Sequence, residues 1–296
     1  MSFNQLKQTN IPRIIHYVWL GEGKKNQTIE ECMKSWKAFC PDFKIIEWNE
    51  EKIKNINNTF LKEAISSKYW AFASDYIRLY ALYNFGGIYL DTDLELTASL
   101  DNFLHHNFFC GFEFEKNYPG TAILGSKKHD SLTRDLLLYY ENRHFILNGK
   151  PDLTPNPIIF KKIFTNHNKS LTTANEFSTI NIEENRIIYP SYFFSKAQKG
   201  HKNFSIHHFE GSWIPEQVRW RLHNTISSTL FKLGRFEIRK TKSGRFAEFP
   251  PKIEDAEKIL ASFTYKKRKI IYIILTKKQS LNTSFRTNIK HKTHLY

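Results

Sequence analysis

Asn84-Phe85-Gly86-Gly87-Ile88-Tyr89-Leu90-Asp91-Thr92-Asp93 is the stretch on which the reading of this chain turns. Two glycines precede a short apolar run, Ile88 to Leu90, and two carboxylates follow it. On an extended chain residues i and i+2 project to the same side. Asp91 and Asp93 are therefore expected to face one divalent cation at the carboxyl end of a strand. A hard cation such as Mg²⁺ or Mn²⁺ prefers oxygen ligands and often bridges substrate phosphates. Open α/β sheets bind ligands at that end of their strands. An Asp-x-Asp pair alone is more often a turn or a helix cap, so the flanking sequence decides between the readings.

Upstream, a helix is expected over residues 68–85, ended by Gly86-Gly87, where glycine supplies the left-handed C-cap conformation. It carries Ala73-Ser74-Asp75-Tyr76-Ile77-Arg78. Asp75 and Arg78 are three apart and share a helix face. On an otherwise apolar segment such a pair reads either as a buried ion pair or as a polar clamp on a ligand. Next to the diacid strand the clamp is favoured.

These residues carry a resemblance. Ser-Asp-x-x-Arg followed by Leu-Tyr-Asn-Phe-Gly-Gly-Ile-Tyr-Leu-Asp-x-Asp resembles the DXD sugar-binding region of family 32 glycosyltransferases. That family includes bacterial capsular-polysaccharide sugar transferases and fungal initiating mannosyltransferases. The chain is similar, too, to the catalytic domain of the large clostridial glucosylating toxins. The likeness begins at Ile11-Pro-Arg-Ile-Ile-His-Tyr-Val-Trp-Leu-Gly21 and runs through Ser35-Trp36 and Pro41 to Asn49. It reaches Ile188 to Phe194 and His207-His-Phe-Glu-Gly-Ser-Trp213, roughly the first 215 residues.

The resemblance implies a metal-dependent retaining glycosyltransferase with a GT-A type α/β fold and a nucleotide-sugar donor. It implies Mn²⁺ or Mg²⁺ on Asp91 and Asp93, with a third ligand from the His207-His208 pair. The spacing to Gly211 favours His208, and His207 is the alternative; Glu210 and Ser212 are minor candidates. Trp19 is expected to stack on the base, which favours a UDP-sugar, and Tyr89 to contact the ribose or pack in the sheet. Ser74 and Ser212 are placed with the donor. Asp75 is expected to accept sugar hydroxyls, Arg78 to support the diphosphate or sugar, and Trp213 to close over the leaving oxygen. Thr154-Pro-Asn-Pro157 departs from the Thr-Gly-Pro turn of many relatives, which puts the acceptor analogy in doubt.

Composition agrees with one large core. At 296 residues, with 41% hydrophobic and 15% aromatic content, the chain is no disordered protein. Cys32, Cys40 and Cys110 are scattered, without metal-ligand spacing, and read as free buried thiols in a reducing compartment. No signal-peptide pattern opens the sequence and no apolar run approaches the length of a membrane span, so a cytoplasmic location is expected. Strands are expected at 14–20, 43–48, 88–90, 108–112 and 122–124. Helices are expected at 28–39, opened by a Thr28/Glu31 capping box, and at 50–56, 58–66, 130–141 and from Pro155/Pro157 to 164. This alternation predicts a sheet flanked by helices.

The catalytic domain is placed at 1–230 and a basic extension at 231–296. The extension holds 17 Lys/Arg against 5 Asp/Glu, a net +12 of the chain's +15. Ile214, Val218, Leu222, Ile226 and Leu230 recur every four residues as a helical stripe. The tail reads either as ordinary packing with a solvated basic face or as attachment to an anionic membrane surface. Membrane attachment suits a lipid-linked glycan acceptor at the inner leaflet; no nucleic-acid module accompanies the charge. A biosynthetic enzyme building a surface polysaccharide or lipooligosaccharide is favoured over an effector that glycosylates a partner protein.

Overall fold

A computed structural model describes residues 9–21, 23–113, 117–209, 239–241, 244–246, 259–264 and 270–274. The chain divides into two compact units, Met1–His207 and His208–Tyr296. The expected boundary at residue 230 and the stripe at 214–230 lie outside the described residues.

The first unit alternates strands and helices. It runs β1 (Ile14–Val18), α1 (Gln27–Phe39), β2 (Lys44–Trp48), α2 (Glu50–Ile53), α3 (Thr59–Ser66), α4 (Trp70–Phe85), β3 (Gly87–Leu90) and β4 (Leu94–Leu96). It continues through β5 (Phe108–Phe112), β6 (Pro119–Ser126), α5 (Ser131–Leu138), a small hairpin of β7 (Ile146–Leu147) and β8 (Lys150–Pro151), and α6 (Asn156–His167). It ends with β9 (Ile180–Glu183), β10 (Arg186–Tyr189), α7 (Ser191–Phe194) and β11 (Ser205–His207). Seven strands form one mixed sheet in the order β2-β1-β3-β6-β5-β10-β9. Strands β2, β1 and β3 are parallel, whereas β6 runs antiparallel to both β3 and β5. The fold is of the α/β class expected, a mixed sheet flanked by helices.

Asn58 and Asp130 cap α3 and α5, each accepting from backbone N–H groups two or three residues on. At α1 the cap is Asn26, whose side chain accepts from Ile29 N at 3.0 Å, so the Thr28/Glu31 capping box is not the start of that helix. Asn26 satisfies the Ile29 N–H and starts the helix at Gln27, two residues earlier than a Thr28 cap would.

Helix α4 packs against α3, α5 and the sheet strands β1, β3 and β6, and buries Ala73, Tyr76, Ile77, Arg78, Leu79, Ala81 and Leu82. Gly86 and Gly87 then turn the chain into β3 with φ of +66° and +113°. A Cβ on Gly87 would stand 2.6 Å from the Ile14 carbonyl oxygen, so only glycine lets β3 lie beside β1 there. His16 on β1 fastens the same corner. Trp48 Nε1 donates to His16 Nδ1 at 3.1 Å, which leaves His16 Nε2–H to donate to the Gly86 carbonyl at 2.8 Å. Burial lowers the His16 pKa to about 4, the Gly86 bond pulling weakly the other way.

Cys32, Cys40 and Cys110 are buried and form no disulfide, as expected. Among the described residues no helix is long and apolar enough to cross a membrane. Among the described residues of the second unit, β12 (Arg239–Thr241) pairs antiparallel with β13 (Gly244–Phe246), and β14 (Ile259–Thr264) with β15 (Ile270–Ile274).

Candidate metal and sugar site

The two acids sit on a turn, not on an extended chain. Asp91 N donates to Ala122 O at 2.8 Å as the last rung beside β6, and Leu94 N returns to Asp91 O at 3.0 Å. The turn folds the carboxylates together and launches β4. Two groups from α1 hold β4 in place: Trp36 Nε1 donates to Leu94 O at 2.7 Å, and Leu96 N donates to Ser35 Oγ at 2.8 Å. Strand β11 pairs antiparallel with β4, with His207 opposite Leu94. That register carries His207 to the diacid turn. Ligand atoms of Asp91, Asp93 and His207 lie within 4.8 Å of one another, all half-buried. His207 Nε2 is 3.4 Å from Asp93 Oδ1.

The histidine grouped with the diacid is thus His207, the alternative of the pair, where the spacing to Gly211 favours His208. The physical reason is strand alternation: successive residues of an extended segment point to opposite sides, and the β4–β11 register selects the first of the pair. Burial alone would lower the His207 imidazole, but the Asp93 carboxylate, with Asp91 and Glu113 beyond it, outweighs that and raises its pKa.

Arg78 stands behind the diacid. It is 5% exposed and every part of its fork is engaged. Nη1 donates to Thr121 O at 2.8 Å, and Nη2 donates to Ser74 Oγ at 3.0 Å. Nη2 also lies 3.0 Å from Asp75 Oδ1 and 3.5 Å from Asp91 Oδ1. The guanidinium covers the Tyr89 ring at 4.6 Å, and Tyr89 Oη donates to Asp91 Oδ1 at 2.8 Å. Tyr89 is 2% exposed. Buried under Arg78 with its hydroxyl committed to Asp91, it orients a carboxylate and is not presented to a ribose. Ser74 is likewise taken up by Arg78 and by Ala71 O.

Asp75 is pushed up to about 6 by burial, against the pull of Arg78 and with help from Asp91. At neutral pH it is a carboxylate able to accept hydroxyl protons. Trp19, at the end of β1, is half-buried; its Nε1 donates to Gly23 O at 3.0 Å and the Lys25 ammonium lies 4.9 Å from its ring. Lys25 in turn pairs with Glu47 at 2.9 Å. Trp213, Ser212 and Glu210 lie outside the described residues.

The sequence did not single out Thr121, whose backbone carbonyl receives Arg78, or Asn156 at the start of α6. Asn156 Oδ1 accepts from Tyr140 Oη at 2.8 Å beside the Asp75 side of the site. The Pro155-Asn156-Pro157 sequence was legible as a helix start; that its asparagine turns inward was not.

Residues 26–110 match the family model of the glycosyltransferase sugar-binding region containing a DXD motif, a span that holds Ser74, Asp75, Arg78, Asp91 and Asp93 but not His207 or Asn156. The chain is 33% identical over 145 residues to inositol phosphoceramide mannosyltransferase 3 of Schizosaccharomyces pombe, a match covering 46% of this chain and 40% of that protein. It is 26% identical over 179 residues to inositol phosphoceramide mannosyltransferase 1 of the same yeast, covering 56% of this chain and 54% of that one. An uncharacterized glycosyltransferase of Acanthamoeba polyphaga mimivirus is 23% identical over 231 residues, 69% of this chain and 84% of the viral protein. The chain therefore spans about half the length, or less, of the two yeast proteins. Among solved structures, the PaToxG glycosyltransferase aligns with a TM-score of 0.40 at 15% identity, over 55% of this chain and 73% of that one.

Proposed function

We propose that this chain is a metal-dependent, retaining glycosyltransferase. It moves a hexose or N-acetylhexosamine from a nucleoside-diphosphate sugar, with a UDP-sugar favoured, to a glycan or lipid-linked glycan of a surface polysaccharide or lipooligosaccharide. The observation that carries this reading is the convergence of Asp91, Asp93 and His207 directly in front of the buried Arg78.

The donor set fits the cation that the family region implies. Two carboxylates and one imidazole offer hard oxygen with a single nitrogen, which suits Mn²⁺ or Mg²⁺ better than a thiophilic metal. Asp91, Asp93 and His207 would hold the ion, and a cation bound there supplies positive charge against a departing diphosphate. The remaining roles belong to the chain itself. Arg78 adds a fixed, water-excluded charge on the same side. Asp75 accepts a hydrogen bond from a sugar hydroxyl and so orients the transferred ring. Tyr89 and Ser74 fix the positions of Asp91 and Arg78. Attack by the acceptor from the leaving-group face, assisted by the leaving phosphate, is the retaining course.

The lipid-linked acceptor draws support from the two yeast relatives, which are named inositol phosphoceramide mannosyltransferases. The basic residues of 231–296 suit the inner face of an anionic membrane, where such an acceptor would lie.

The test is donor hydrolysis and transfer with Mn²⁺ across a panel of UDP- and GDP-hexoses and N-acetylhexosamines, with and without EDTA. Metal-dependent release from one donor, lost in Asp91→Ala and Asp93→Ala, is the expected result. Turnover unaffected by EDTA and by both substitutions would overturn the reading. Transfer to polypeptide in place of glycan would select the protein-modifying alternative.

A further inference from the structure

Between Arg143 and Lys162 the chain displays three aliphatic side chains to solvent: Leu147, Leu153 and Ile158 are 47%, 52% and 47% exposed. Each is held out by well-tied backbone. Asn148 and Gly149, both at positive φ, close β7 onto β8 in a two-residue turn. Glu63 on α3 pins the base of this hairpin, accepting from Phe145 N at 2.7 Å and Ile146 N at 3.0 Å. Ile146 packs against the core, so Leu147 points away from it, with Lys150 opposite. Leu153 stands between Asp152 and Thr154, whose backbone N and Oγ1 both donate to Asp152 Oδ1, at 3.1 and 2.6 Å. On α6, Ile159, Phe160 and Phe164 are buried, while Ile158 shares the outer face with Lys161 and Lys162, three and four residues on. The charge around these aliphatics has one sign. Arg143, Lys150, Lys161 and Lys162 face a single acid, Asp152, which Arg143 already pairs at 3.1 Å. The Lys161 ammonium lies 4.8 Å from the centre of the Tyr118 ring, which adds an aromatic with a polar tip.

We propose that the β7–β8 hairpin and the outer face of α6 form a docking surface for an anionic lipid bilayer. Aliphatics interleaved with lysines suit the boundary between headgroups and acyl chains: the aliphatics enter the apolar layer and the ammonium groups meet lipid phosphates. Lysine stems lie along apolar surface while their heads stay with the anions. A second copy of the chain is the poorer occupant, because a two-fold contact would bring the same cations together. The surface borders the sugar site. Helix α6 begins with Asn156, which bonds Asp75, and Tyr118 precedes by three residues the Thr121 carbonyl that receives Arg78. A bilayer docked here lies beside the site, within reach of a lipid-linked acceptor. This surface belongs to the first unit and is separate in sequence from the basic residues of 231–296.

The test is co-sedimentation of the full chain with phosphatidylcholine vesicles, with and without phosphatidylglycerol. Lys161→Gln/Lys162→Gln is compared with Lys34→Gln/Lys37→Gln, an equal charge change on exposed positions of α1. Trp36 of α1 packs in a separate core cluster from Phe160 and Phe164 of α6, so the control lies on another layer. Partition onto anionic vesicles is expected to fall about 30-fold in the α6 pair, the effect of two lysines at a charged surface, and less than about 3-fold in the α1 pair. An environment-sensitive fluorophore on Leu147→Cys supplies a second reading, since the native cysteines are buried. Its emission should shift to the blue when anionic vesicles are added. Equal losses in the two pairs, no loss in the α6 pair, or an unshifted label would each overturn the proposal. A blue shift without lipid, in a chain that elutes as a dimer, would assign the surface to a second copy and overturn it too. Vesicle binding is read without any nucleotide sugar, so its failure is distinguishable from failure of the glycosyl-transfer reading.

Discussion

Arg78 Nη2 lies 3.5 Å from Asp91 Oδ1 while the same nitrogen holds Asp75 at 3.0 Å, so a single guanidinium on α4 ties the sugar side of the site to its metal side. Two carboxylates are packed close together with little water, and Arg78 is the charge that permits it. Removing one partner of a buried ion pair leaves the others uncompensated. Arg78→Ala is therefore expected to lower unfolding stability by about 3 kcal/mol and to abolish turnover. Arg78→Lys should recover part of the stability but little activity, because an ammonium cannot reproduce bonds to Thr121, Ser74 and both acids at once. Urea unfolding and donor hydrolysis measure the two effects separately. Lysine at wild-type turnover would show that only the charge matters.

Tyr89 offers a gentler probe of the metal side. Tyr89→Phe keeps the ring under Arg78 and deletes only the proton given to Asp91. Groups that orient metal ligands typically contribute 10–100-fold in affinity. Mn²⁺ titration by calorimetry should show a loss of roughly tenfold with the thermal midpoint nearly unchanged. Unaltered Mn²⁺ affinity would remove Tyr89 from the metal-holding machinery.

Gly87 tests the corner that delivers the diacid. Alanine there meets the Ile14 carbonyl oxygen at 2.6 Å in a backbone held at φ +113°. The strain of such a position and the clash act together, so Gly87→Ala is expected to cost about 2 kcal/mol or more. Gly149→Ala is a useful control. It shares the positive φ, at +73°, but meets no atom within 4 Å, and should cost less. Equal losses in thermal unfolding would show that the close approach of β1 and β3 is not the cause.

The pH dependence of stability should carry the signature of His16. Its pKa falls from 6.5 to about 4 on folding. Above 6.5 the imidazole is neutral in both states and the contribution is intact; as pH drops from there to about 4, the unfolded chain takes a proton that the folded one refuses. Stability should fall across that window by up to about 3 kcal/mol. In His16→Gln, chemical unfolding between pH 6.5 and 4 should give a visibly flatter profile. An unchanged slope would assign the acid sensitivity to other groups.

The sequence by itself determined the elements and the chemistry. Glycines 86 and 87, the alternation of strands and helices, and Asp75, Arg78, Asp91 and Asp93 are set by local rules: apolar periodicity, the need for positive φ, and charges placed where water is scarce. Those rules act over a few residues, and so they can be read from a few residues.

The tertiary structure decided the partnerships. Whether His207 or His208 meets the diacid follows from the register of β11 on β4, fixed by pairing across more than a hundred residues. Tyr89 becomes a support for Asp91 because Arg78 covers it from another element. Asp130 both caps α5 and receives Arg186 from β10, a buried pair no local pattern announces. Asn156 reaches the Asp75 side because α6 begins there and Tyr140 takes one end of its amide. In each case the side chain's role depends on which distant group is left facing it once the sheet has closed. That is a property of packing, and it is written in no single stretch of the chain.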